Sequence, residues 1–215
     1  LEPKLSFRYS PNQMKNHSND TNLINVSNIY SINRLGISDS YEEGASLTIG
    51  ANYKKEKINE IRKYDKNNKE IEDFFEFKIA TVLRNKGEKN ISTASTINKK
   101  NSNTFGQINY SLSEYVALNY DFAIDNDFKT FEYNSVDTTL SYKNFSTQIT
   151  YLEQNGAMGD VAIIGNTSKY EFDQNNSITF ATRRDKKLNL TEYYDLIYEY
   201  KNDCLTAGIE YKKKY

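Results

Sequence analysis

Tyr115-Val-Ala-Leu-Asn-Tyr-Asp-Phe-Ala-Ile124 sets Val116, Leu118, Tyr120, Phe122 and Ile124 on one side of an extended chain and Ala117, Asn119, Asp121 and Ala123 on the other. Successive side chains of a strand point to opposite faces, so this period of two predicts a half-buried β-strand and rules out an amphipathic helix. The turn-forming Asp125-Asn126-Asp127 closes it.

The same alternation recurs in both directions. Leu1, Pro3, Leu5, Phe7 and Tyr9 alternate with Glu2, Lys4, Ser6 and Arg8, and Leu47, Ile49, Ala51 and Tyr53 with Thr48, Gly50 and Asn52. Phe75, Phe77, Ile79 and Leu83 continue the pattern. Near the end, Tyr194, Leu196, Tyr198 and Tyr200 alternate with Asp195 and Glu199, while Leu205, Ala207, Ile209 and Tyr211 alternate with Thr206, Gly208 and Glu210. About eleven strands of roughly ten residues follow, the length a tilted strand needs to cross a bilayer. One strand, Phe128 to Tyr142, changes phase between Phe131/Tyr133 and Val136/Leu140/Tyr142, which predicts a β-bulge.

Connections alternate in length. Short ones fall at Ser113-Glu114, Lys143-Asn144, Asp173 to Asn176 and Lys201 to Asp203; longer ones run from Asn85 to Asn103 and from Gln154 to Asp160. Bacterial barrels use short turns at the periplasmic rim and longer loops outside, so Lys201 to Asp203 is expected at the periplasmic rim. By parity, Asn119, Asp121, Asp195, Glu199 and Glu210 are expected to face a lumen, and Leu118, Tyr120, Phe122, Leu196, Tyr198, Leu205 and Ile209 to face lipid. A register error of one residue would exchange the two sets.

Composition supports the strand reading and removes other classes. Two Pro, no Trp, 18 Tyr and 11 Phe describe a chain poor in breakers and rich in strand-favouring residues. The net charge of -1 supplies no basic field, so nucleic acid is not an expected partner. Mean hydropathy of -0.79 leaves no run of about 20 apolar residues for a membrane helix, whereas alternating barrel strands average to a polar sequence. Pattern alone leaves a soluble β-sandwich open, since its inner faces alternate in the same way.

Side chains suited to catalysis are scarce. His17 is the single histidine and lies in an Asn/Ser-rich stretch, reading as a solvated loop residue; neither a catalytic triad nor a metal or cofactor site is expected. Gly156-Ala-Met-Gly159 lacks the lysine and helix start of a phosphate loop and reads as a loop tip. Asp195, Glu199 and Glu210 could be imagined as an acid/base pair, but a solvated lumen wall is the simpler reading. Cys204, the single cysteine, has no partner within the chain.

Leu1-Glu-Pro-Lys-Leu-Ser-Phe-Arg-Tyr-Ser-Pro11, then Asn28-Ile-Tyr-Ser-Ile-Asn-Arg-Leu35 and Tyr41-Glu-Glu-Gly-Ala45, resemble the middle of barrels of the LptD family, which builds lipopolysaccharide into the outer membrane. The residues that carry the likeness are Asn28, Ser31, Asn33, Arg34, Glu43 and Gly44. Tyr193 to Tyr215 is similar to that family's last strands. The resemblance implies a 215-residue C-terminal portion, one domain, of a larger antiparallel outer-membrane barrel, with an N-terminal periplasmic domain, first strands and export signal upstream of Leu1. It also implies lipopolysaccharide and membrane lipid as ligands, with a lipoprotein plug and periplasmic bridge proteins as partners. Cys204 matches a family cysteine that bonds to one near the N-terminal domain; Asp203 stands where some relatives carry a second cysteine. A passive outer-membrane porin or another outer-membrane barrel is the alternative.

Overall fold

The computed structural model describes residues 1–60, 69–112 and 115–215. It contains eleven strands: β1 (Glu2–Ser10), β2 (Gly44–Glu60), β3 (Lys69–Arg84), β4 (Thr104–Leu112), β5 (Val116–Ile124), β6 (Phe131–Tyr142), β7 (Phe145–Gln154), β8 (Val161–Glu171), β9 (Asn176–Asp185), β10 (Leu190–Lys201) and β11 (Thr206–Lys214). They form one sheet in chain order, every neighbouring pair antiparallel. The opening segment is β5, as its alternation requires. β2 and β3, at 17 and 16 residues, exceed the length expected of them.

Residues paired directly across strands point to the same side of a sheet, so faces can be traced rung by rung. One rung runs Leu118, Thr138, Ile149, Asn166, Thr182, Tyr194 and Lys213. The adjacent rung, on the opposite face, runs Asn119, Asp137, Thr150, Gly165, Arg183, Tyr193 and Lys214. The first face is bare and lined by exposed apolar side chains, among them Leu5, Phe7, Ile49, Tyr53, Leu140, Phe180 and Ile209.

The opposite face is covered at one rim. Chain reversals alternate between two rims; among the described residues the rim that carries Lys143-Asn144, 172–175 and 202–205 holds only short ones, while the other holds the long 11–43 and 85–103 together with shorter ones such as 186–189. The turn at Ser113-Glu114 lies outside the described residues. At the other rim, residues 11–43 and 85–103 fold back over the sheet. A rung of Gly50, Ala80, Phe105, Ala123 and Tyr133 crosses β2 to β6 beneath them. Met14, Ile24, Val26, Ile29, Leu35 and Ile37 from the first connection and Ile91 and Ile97 from the second pack with Ala80, Val82, Phe105 and Ala123 into the hydrophobic core. The folded core therefore lies between loops and sheet. Burial of this apolar surface at roughly 25 cal/mol per Å² is what orders connections so rich in Asn and Ser.

The phase change in β6 is a bulge at Glu132: Ile124 pairs with Phe131 but Ala123 with Tyr133. It turns Phe131 to the bare face, edge-on to Phe122 at 5.9 Å, and Tyr133 onto the core. Two expectations are corrected here. Gly156 to Gly159 is no bare loop tip, because the 3-10 turn Gly156–Met158 drives Met158 into the core, 4% exposed. His17 is no free loop residue: its ring sits between Asp20 (3.0 Å) and Asp39 (2.9 Å), and its N–H donates to the Asn90 carbonyl at 2.8 Å, joining the two long connections. No local pattern marks the burial of Met158 or the His17–Asn90 bond, because their partners come from distant segments.

Candidate functional site

The family-like residues converge where the first long connection enters β2. Asn28 accepts from the Asn25 N–H at 3.0 Å and donates to the Leu23 carbonyl at 3.0 Å, while Ser31 donates to the Asn28 carbonyl at 2.9 Å. Asn33 closes the next turn by donating to the Ile37 carbonyl (2.7 Å) and accepting from the Ile37 N–H (3.1 Å). These side-chain bonds replace the ladder bonds that a non-repetitive segment lacks.

Arg34 follows directly, with its side chain fully buried. It donates to Glu42 through Nε (2.7 Å) and Nη2 (2.5 Å), to Thr48 Oγ1 (2.9 Å), to Ser46 Oγ (3.0 Å) and to the Ile29 carbonyl (3.4 Å). All five guanidinium donors are thereby used, the condition under which a buried arginine is tolerated. Arg84 of β3 also bonds Glu42 and the Glu43 carbonyl, and Arg8 of β1 lies 4.0 Å from Glu42. Glu42 thus ties β1 and β3 to the loop, and Arg34 adds β2 through Ser46 and Thr48. Burial pushes its pKa up, but the Arg34 hydrogen bond and the charges of Arg34, Arg84 and Arg8 outweigh burial and hold it below the usual carboxylate value.

Glu43 plays a lesser part. It accepts from Lys86 at 3.0 Å and from the Met14 N–H at 3.3 Å, and both bonds lower its pKa. Gly44 has φ +87°, a conformation costly for any residue with a Cβ, and starts β2. Tyr30 lies across Gly50, where an added Cβ would stand 2.2 Å from its hydroxyl. Glu42 is the residue sequence reasoning missed. Two adjacent glutamates look alike in sequence, and only the fold shows which one meets Arg34.

Asn119 and Asp121 belong to a polar ladder on the covered face. Gln107 and Asn119 donate to Asp121 at 2.9 and 3.1 Å, Asn109 donates to Gln107 at 3.2 Å and to Glu76 at 3.1 Å, and Lys78 lies 2.7 Å from Glu76. Asp195 and Glu210 occupy the same face further along and share Lys212, at 2.8 and 3.6 Å. Glu199 lines a shallow depression of about 250 Å³ with Lys169 and Lys201. Leu118, Tyr120, Phe122, Leu196, Tyr198 and Ile209 lie on the bare face; Leu205 lies just ahead of β11, in the turn. Cys204 is exposed in that turn with a free thiol, its N–H bonded to Asn202 Oδ1 at 3.0 Å. Among the described residues, no three His, Cys, Asp or Glu side chains are grouped to hold a metal.

A consecutive antiparallel sheet with an apolar bare face, a polar opposite face and alternating short and long connections is the wall of an outer-membrane β-barrel. Among solved structures, two mutants of the Rh. blastica porin each match with a TM-score of 0.41 and 12% identity, over 83% of this chain and 78% of theirs. No curated protein matches. The family model for LptD, LPS transport system D, matches residues 1–160, and the chain belongs to that family. Its role is accordingly in lipopolysaccharide transport at the outer membrane.

Proposed function

We propose that this chain is the C-terminal portion of the barrel that inserts lipopolysaccharide into the outer leaflet, with a periplasmic domain and further strands preceding it. The family match over residues 1–160 carries the reading. The bare face, with Leu118, Tyr120, Phe122, Leu196, Tyr198 and Ile209, meets lipid, and Leu205 follows at the rim. The covered face, with Asn119, Asp121, Asp195, Glu199 and Glu210, faces the lumen. Sugar hydroxyls can exchange hydrogen bonds with its amide and carboxylate ladder. A lipoprotein plug and periplasmic bridge proteins complete the machine. The barrel's contribution is passage, and it makes or breaks no covalent bond in the cargo.

The long connections, clasped by Arg34 and Glu42, close the outer rim of this wall. The test is depletion of the full-length protein with newly made lipopolysaccharide followed by its accessibility to a surface-modifying enzyme. Loss of surface arrival with accumulation at the inner membrane supports insertion. Undisturbed arrival accompanied by reduced uptake of small solutes overturns it in favour of a passive porin.

A further inference from the structure

Cations crowd one corner of the sheet, at the long-connection rim between β7 and β11: Arg183, Arg184, Lys186 and Lys187 around the β9–β10 turn, and Lys212, Lys213 and Lys214 at the end of β11. Their neutralisation differs. Arg183 lies 3.0 Å from Glu192, Lys187 is paired with Asp160, and Lys212 with Asp195. Among the described residues, Arg184, Lys186 and Lys213 have no carboxylate within 4 Å. Arg184 bonds only the neutral Asn189, and Lys186 and Lys213 stand over the rings of Tyr151 (5.3 Å) and Tyr215 (4.6 Å). Lys214, on the covered face, also lacks a carboxylate.

These three cations share the bare face. Arg184 lies on the rung of Val136, Tyr151 and Ile164, Lys213 on the rung of Thr182 and Tyr194, and Lys186 reaches over Tyr151. Exposed apolar side chains lie directly beside them: Ile164, Phe180, Tyr194 and Leu196. Phe180 and Tyr194 stack at 6.3 Å, and Tyr194 meets Tyr215 edge-on at 6.0 Å. Arg184 and Lys213 stand two strands apart, and so do Lys186, over β7, and Arg184. At about 4.8 Å between neighbouring strands, the strands over which the three cations stand, β7, β9 and β11, lie about 10 Å apart.

We propose that Arg184, Lys186 and Lys213 form a docking surface on the outside of the barrel for a phosphorylated glycolipid, whose acyl chains lie on Ile164, Phe180, Tyr194 and Leu196. A cation left without a counterion beside an apolar surface is complementary to an amphiphile whose charge is negative. Three such cations spread over β7 to β11 suit a headgroup carrying more than one phosphate better than a single-phosphate phospholipid, which one cation would satisfy. The surface deepens the transport reading by naming where delivered lipid is first held, and it rests on that reading for the bare face meeting lipid.

Its test measures binding alone, so it fails or succeeds independently of the surface-arrival assay. The full-length protein in nonionic detergent is titrated with bisphosphorylated lipid A, its dephosphorylated form, or phosphatidylglycerol, and bound lipid is counted by native mass spectrometry. Arg184→Gln, Lys186→Gln and Lys213→Gln combined are compared with the equal charge change Arg183→Gln, Lys187→Gln and Lys212→Gln. Heat-modifiable mobility checks folding, and Lys213→Gln alone serves should the triple variant not fold. The bare-face triple variant should bind the bisphosphorylated lipid about tenfold more weakly, as loss of charge-assisted hydrogen bonds dictates, with the dephosphorylated form unchanged. The control variant should retain wild-type binding. Equal weakening in the control, wild-type binding in the bare-face variant, or an equal loss for phosphatidylglycerol overturns the assignment.

Discussion

At the residue scale the decisive contact is Glu42 with Arg34. Removing one member of a buried pair strands the charge of the other, at a cost of roughly 3–5 kcal/mol, so Glu42→Gln should loosen the 11–43 connection while leaving the β7 to β11 region unaffected. The acid limb follows from the same contact. The folded Glu42 pKa lies below its ordinary 4.5, so its contribution is complete above that value and is lost as pH falls through the lowered one. Hydrogen-exchange protection at Ile29 and Ile37 in the full-length protein, taken relative to the intrinsic rate at each pH, should fall on acidification below about pH 4.5, and Glu42→Gln should be poorly protected throughout and lack that step. Unchanged exchange in the variant would mean the clasp does not hold the loop. Arg34 was recognisable from sequence because it stands in a family-like run. Glu42 was not, because pairing across eight residues of irregular chain leaves no periodic trace.

At the element scale the strands were legible and the loops were not. β5, β10 and β11 were readable from alternation alone, since a period of two is a local property that survives any tertiary context placing one face in apolar surroundings. Even the β6 bulge showed itself as a phase break. The core of Ile24, Ile29, Ile91 and Ile97 could not be read, because its members are spaced irregularly through polar segments and become neighbours only once two distant connections meet. The bulge and this core are linked: Glu132 accepts from the fully buried Asn103 amide at 2.7 Å, and its carbonyl accepts from the Asn155 N–H at 2.8 Å. The extra residue in β6 thus anchors the second long connection. Glu132→Ala should leave the Asn103 amide without that partner and cost about 1–3 kcal/mol. It should lower the unfolding midpoint in denaturant more than Glu153→Ala does. Equal midpoints would make the bulge a matter of strand geometry alone.

At the scale of the whole molecule, one rim is closed by folded connections and the other carries short turns, with Cys204 exposed among the latter. Cys204 is exposed with a free thiol; we propose that the short-turn rim is periplasmic, the compartment where disulfides form, and that Cys204 bonds there to a cysteine of a preceding periplasmic domain, as the family resemblance implies. Such a bond would close a loop of more than a hundred residues, restricting the unfolded chain by about 4–5 kcal/mol and fixing the barrel over the domain that feeds it. Full-length protein from outer membranes should therefore migrate differently with and without reductant, and Cys204→Ser should abolish the difference. The variant should also show slower arrival of lipopolysaccharide at the surface, since the two parts are then free to separate. If wild type and variant migrate alike under both conditions, Cys204 is a free thiol and the proposed covalent link between barrel and periplasmic domain is wrong.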